Sequence, residues 1–202
     1  MRHASTRAVF AHWSERRGDR PAPDRREIDP SAIRHALGDT FILAADLAGD
    51  LRFRLAGTRL CALFCRELKG EVFGSLWSRA SALPVQHLVS IVSRESVGAV
   101  AGVAGRTEDG ERVELEMLLL PLAHNGAVCA RALGVLTPLE PPFWIGVRPL
   151  SELELTGLRC VGSTAEALGG PGSFPAAQGG RKWRGLRVHD GGRTLRQNWG
   201  RG

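Results

Sequence analysis

Two cysteines four residues apart, Cys61 and Cys65 in "LRFRLAGTRLCALFCRELKG" (residues 51–70), have side chains and spacing suited to chemistry. On a helix they share one face and could hold a metal ion or form a redox pair. The other reading is that each thiol fills a small apolar site, as free cysteine usually does. Zinc needs two further ligands, and the nearest histidines, His35 and His87, lie far off in sequence. That favours the packing role. Glu114 and Glu116 form a second pair, two apart on a strand and so pointing the same way. Such carboxylates can act as acid and base, but a solvated sheet face places them in the same pattern. No G-x-S-x-G elbow, H-E-x-x-H motif or phosphate-binding loop occurs. The reading is of a chain with no catalytic residue, no metal site and no enzymatic activity.

The elements around these residues follow from periodicity. Ser5 or Thr6 caps a short amphipathic helix on which Val9, Phe10 and Trp13 form an apolar stripe, and Arg16, Arg17 and Gly18 end it. "GDRPAPDRREIDP" is a proline-broken connector, and Asp29 with Pro30 starts a helix that turns Ile33 and Leu37 inward. Residues 40–47 and 51–55 read as a hairpin whose second strand alternates Leu51, Phe53 and Leu55 with Arg52 and Arg54. A short helix over 58–65 and a longer one over 81–96 form a helical middle. Three further strands follow at 99–104, 112–122 and 127–136, joined by the turns "TEDGE" and "HNG". In the second of these the outer face is wet at Glu114 and Glu116 and covered from Leu118 onward. Leu153, Leu155 and Leu158 add at most a last short element.

The 202 residues suit one domain with extensions. We divide them into an N-terminal helix and connector (1–27), a domain (28–160) and a Gly/Arg-rich disordered tail (161–202). The net charge of +6 is a property of the ends: residues 1–26 carry seven Arg against three acids, and residues 163–202 seven Lys or Arg against two, so the centre is mildly acidic. Polyanion binding would have to come from the ends, above all from "GGRKWRGLRVHDGGRTLRQNWGRG", where Trp183 and Trp199 interleave with arginine. No apolar run is long enough to span a membrane, and the four cysteines form no C-x-x-C pair. A cytoplasmic protein with reduced thiols is expected.

"FCRELKG" resembles the turn that PAS domains carry between core helices. The segments "IDPSAIRHAL", "FRLAGTRLCALFCRELKG", "LW", "RTEDGERVELEMLLLPL" and "LGVLTPLEPPFWIGVRPLSELEL" together resemble the PAS_5 group of bacterial, alphaproteobacterial-type PAS-like proteins. The resemblance implies an α+β fold, a five-stranded antiparallel sheet with helices on one face, used for sensing or protein contact rather than catalysis. One departure is Cys65, where the group has Gly; a left-handed backbone there costs Cys about 1 kcal/mol that Gly avoids. Flavin photoreceptors of the superfamily carry a reactive Cys after the glycine that closes this turn, whereas Gly70 is followed here by Glu71, Val72 and Phe73, which argues against flavin–cysteine photochemistry. Haem would need an axial ligand, and a lone His87 on an amphipathic helix argues against it too, so no cofactor is expected. Phe53, Leu55, Leu60, Phe64, Phe73, Trp77, Leu88 and Met117 either line a ligand pocket or simply fill the core. Val9, Phe10 and Trp13 either meet a partner, including a second copy, or lie on the chain's own sheet. The expected function is sensory or regulatory, through protein–protein contact and tuned by a small ligand if the pocket is real. The other reading is nucleic-acid binding through the basic tail.

Overall fold

A computed structural model of the chain describes residues 1–124, 127–161, 181–183 and 186–188. Helix α1 (Ala4–Arg17) contains neither Gly nor Pro, and Gly18 at φ 55° stops it. Its cap is His3, whose ring nitrogen Nδ1 accepts the Ser5 amide at 3.1 Å, so Ser5 and Thr6 are left for longer-range contacts. In the connector, Asp24 and Glu27 form a reciprocal capping box around the short 3-10 turn Arg25–Glu27. Asp29 accepts the Ser31 amide at 2.8 Å, but residues 30–36 form successive turns rather than the expected helix; Ile33 and Ala36 are still buried.

Strands β1 (Thr40–Ala45) and β2 (Leu51–Ala56) form the expected hairpin, followed by α2 (Thr58–Leu63), a 3-10 turn (Phe73–Leu76) and α3 (Arg79–Glu95). Strands β3 (Gly98–Thr107), β4 (Arg112–His124), β5 (Ala127–Pro138) and β6 (Leu150–Val161) complete an antiparallel sheet in the order β2-β1-β5-β4-β3-β6. The principal sheet therefore has six strands, not five. The sixth is twelve residues long and pairs along the whole of β3. Two three-residue strands, β7 (Arg181–Trp183) and β8 (Leu186–Val188), extend the order as β8-β7, with β8 parallel to β6. They correct the expectation of a wholly unstructured tail; Trp183, Leu186 and Val188 are strand-favouring residues flanking a Gly. The rest of that tail lies outside the described residues.

The core helices α2 and α3 lie on one face of the sheet, as expected, and α1 covers the other. On one side Phe41, Leu43, Phe53, Val103, Leu115, Met117 and Leu119 pack with α2, α3 and the Phe73–Leu76 turn. On the other, Ile42, Val100, Leu118, Leu120, Leu122, Leu133 and Val135 pack with Val9 and Trp13 of α1 and with Ile33 and Ala36. The near-continuous apolar run "MLLLPL" in β4 is what a strand buried on both sides requires. Gly134 of β5 leaves room for Phe41: a Cβ there would collide with the Phe41 ring.

Candidate functional site

The hydrophobic interior beside α2 and α3 is the first candidate. Phe41, Phe53, Phe73 and Trp77 form an edge-on and stacked aromatic group, with centroids 5.6 to 5.7 Å apart along the chain of contacts. Such separations are ordinary aromatic packing. Phe53, Leu60, Phe64, Phe73, Trp77, Leu88 and Met117 are all buried in this one cluster, so the structure brings seven of the eight predicted lining residues together.

Leu55 is the eighth, and the structure contradicts its place there: it is exposed. Phe53 pairs with Leu43 and Leu55 with Ile42, so Arg54 is an extra residue in the ladder. The bulge breaks the two-residue alternation and puts Leu55 on the α1 side of the sheet, at its edge. Within the interior, two polar atoms are buried with no hydrogen-bond partner, the indole Nε1 of Trp77 and the hydroxyl of Ser78. Buried donors are normally satisfied, so these mark where a polar ligand atom or a water would gain most.

The second candidate is the seat of α1. Val9 and Trp13, two of the three predicted partner-contact residues, are fully covered by the chain's own sheet, and Phe10 stays half-buried, stacked on Trp13 at 6.2 Å. The Trp13 indole donates to the Pro121 carbonyl at 2.8 Å, and the Arg17 guanidinium lies 5.0 Å from its ring centroid. Burying Val9 and Trp13 contributes on the order of 2–3 kcal/mol each.

Two buried carboxylates tie down the start of this helix. Glu116 of β4 accepts the Arg2 amide at 2.7 Å, the His3 amide at 3.0 Å and the Thr6 hydroxyl. Its negative charge faces the positive end of the helix dipole. Burial pushes the Glu116 carboxyl up, but the Thr6 hydroxyl and the His3 and Arg2 amides outweigh it and hold it below the ordinary carboxylate value. Asp39 accepts the Ser5 hydroxyl at 2.7 Å and is paired with Arg59 of α2, Nε–Oδ1 2.7 Å. Asp39 therefore links α1 directly to the helical side of the fold. Sequence reasoning placed Glu116 with Glu114 on a solvated face. Glu114 is indeed exposed and pairs with Arg112, whereas Glu116 lies under the helix.

The thiols have modest settings. Cys61 donates to Glu67 at 3.3 Å, and burial, with the Glu67 charge, pushes its thiol up, which disfavours the reactive thiolate. Cys65 is exposed and adopts φ 50°, the left-handed conformation anticipated from the missing glycine. The Cys129 side chain lies outside the described residues, as does most of the basic tail read for nucleic acid. Among the described residues no group of three or more His, Cys, Asp and Glu could hold a metal ion. His87 is exposed on α3. No helix of the described residues is long and apolar enough to cross a membrane.

An antiparallel sheet ordered 2-1-5-4-3, with short helices between its second and third strands packed on one face, is the architecture of the PAS class of sensory domains. The chain belongs to the PAS_5 family: the family's model, described as a PAS domain, matches residues 1–137, and so includes α1 but not β6. It is on that basis a sensory or regulatory domain. Similar solved structures include the PAS domain of a protein from Colwellia psychrerythraea, with 18% identity and TM-score 0.39 over 55% of this chain and 97% of that one. A light-oxygen-voltage domain studied with a flavin analogue has 15% identity and TM-score 0.43 over 55% and 83% of the two chains. An RNA-binding light-oxygen-voltage receptor has 15% identity and TM-score 0.40 over 55% and 32%. No curated protein matches the chain.

Proposed function

We propose that this PAS-like chain is a non-enzymatic regulatory protein that acts by protein–protein contact, with α1 as the element whose release uncovers the contact surface. The observation that carries the reading is the seat of α1. A fourteen-residue helix covers the apolar strip of Leu118, Leu120, Leu122, Leu133 and Val135, and its start is held by only two carboxylates, Glu116 and Asp39. The strands beneath carry the aromatic interior on their other face, since Leu118 and Leu120 alternate with Met117 and Leu119. Trp77 and Ser78 meet β6 at Leu153, and Trp77 shares the interior with Met117 and Leu119 of β4; through that interior a small molecule meeting them would tune the seat of the helix.

The full chain and its Glu116→Gln variant, used as paired baits in extract of the native cell, test the contact clause. At least one protein should be retained severalfold better by the variant, whose helix is more often released. Identical retention of every protein by the two baits contradicts the reading. Absorption and native mass of the purified chain test the ligand clause: a colourless protein of apo mass removes it and leaves the contact clause standing.

A further inference from the structure

Two histidines in the seat of α1 act as hydrogen-bond acceptors, a role that only a neutral imidazole can fill. The Ser5 amide donates to Nδ1 of His3 at 3.1 Å, which closes the first turn of α1. The Asp29 amide donates to Nε2 of His12 at 3.0 Å, which ties the second half of the helix to the connector. His12 is buried and His3 half-buried. A neutral ring carries one N–H donor and one acceptor nitrogen, whereas the imidazolium carries two donors. Protonation therefore turns N–H toward N–H at both places and removes both bonds. At His3 the new charge also meets the positive end of the helix dipole. Serine, threonine, aspartate and asparagine are the usual residues at such a cap, and they accept at neutral and mildly acid pH alike. A histidine cap depends on pH.

The charges around the two rings pull in both directions. Near His3 stand Glu116 of β4, which accepts the His3 amide, Arg2 and Arg7 along the chain, and Arg159 of β6, whose field reaches the Met1 amine with those of Glu116 and Arg7. Near His12 stand the Asp29 carboxylate, which lies in the field of both His12 and Arg16, and Glu15 on the next turn of α1. Strand β5, the other strand beneath α1, meets it with apolar Leu133 and Val135. The carboxylates favour an imidazolium and the arginines oppose it, so the hydrogen bonds made only by the neutral rings decide the balance. These bonds sit where release would act. Ser5, whose amide His3 holds, gives its hydroxyl to Asp39, and Asp29 precedes Ile33 and Ala36 in the cluster beneath α1.

We infer that His3 and His12 make the seating of α1 proton-sensitive, so that mild acid loosens the helix from the sheet. The device rests on α1 being the releasable element of the proposed function. Its sign follows from linkage: the released helix binds protons that the seated form excludes, so the seat weakens as pH falls through the ordinary histidine value of about 6.5. Between about pH 7.5 and about pH 5.5 each histidine can contribute at most about tenfold. Amide exchange of α1 in the full chain, corrected for the intrinsic rate at each pH, tests the device. Opening should be at least about tenfold more frequent at the lower pH. His3→Asn and His12→Gln place an acceptor oxygen where Nδ1 and Nε2 stand, and the double variant should hold the opening within about twofold across the same range. Should the double variant fail to fold, each single variant should remove about half of the effect on a logarithmic scale. His87→Gln, on the exposed side of α3, should keep all of it. A wild-type change below about twofold overturns the proton switch, as does an undiminished change in the acceptor variants or an equal loss of the effect in His87→Gln. Helix and sheet opening together would contradict the releasable helix instead, and the pH change of that shared opening would still read the two histidines.

Discussion

Glu116→Gln keeps the shape of the side chain but turns one of its two acceptor oxygens into a donor. The Arg2 amide meets Oε2 at 2.7 Å, while the His3 amide, at 3.0 Å, and the Thr6 hydroxyl meet Oε1. In either orientation of the amide, at least one backbone N–H loses its acceptor at a residue only 5% exposed. A hydrogen bond to a charged group is worth about 1.5–3 kcal/mol, and an orphaned buried donor costs about 1–3 kcal/mol. Removing a buried charge recovers part of its desolvation penalty. The net expectation is a loss of about 2 kcal/mol, or a Tm lower by about 4–8 °C for a chain of this size. The pH dependence has a definite sign. Because the folded carboxyl lies below its unfolded value of 4.5, its contribution is complete above that value and is lost as pH falls through the folded one. Urea unfolding at neutral and at acid pH should therefore show a gap between wild type and variant that narrows in acid. Equal stability at neutral pH, or a gap that widens in acid, would refute the role assigned to Glu116.

Other substitutions test separate parts of the structure. Gly134→Ala should lower stability by about 3 kcal/mol in urea unfolding, because the new methyl collides with the Phe41 ring; a neutral result would mean that Phe41 lies elsewhere. Phe53→Ala should cost about 3–5 kcal/mol and Leu55→Ala less than about 1 kcal/mol in the same assay. Similar losses would place both side chains in the interior and deny the bulge at Arg54. Cys65→Gly relieves a left-handed backbone at φ 50° and should raise the stability by about 0.5–1 kcal/mol, seen as a higher urea midpoint at unchanged slope, whereas a loss would mean that the thiol itself stabilises the turn.

The order of the strands and the interior cluster were legible because alternation survives in most of the sheet. Val113, Leu115, Met117 and Leu119 share the helical face as their spacing demands. Bulges erased the signal elsewhere. Leu55 was placed by parity, which Arg54 interrupts. Strand β6 was underestimated because its register with β3 shifts twice, so that Leu150 and Leu153 are both buried three residues apart. The two-sided cover of β4 was legible in "MLLLPL", whose residues are apolar on both parities and need a lid; what the sequence left open was whether the stripe of Val9 and Trp13 supplies that lid or meets a partner. Glu116 then falls where that lid begins, which single-strand patterning does not reveal.

Native-state hydrogen exchange of the wild-type chain, read residue by residue over α1 and over β3–β4, tests the releasable helix most directly. Amides of α1 should exchange through an opening at least about 2 kcal/mol easier than that of β4, with weak dependence on denaturant, as a local rather than global event. If the α1 amides exchange only with the sheet, at the same free energy and the same denaturant dependence, the helix is a fixed part of the core and the proposed regulatory release is wrong.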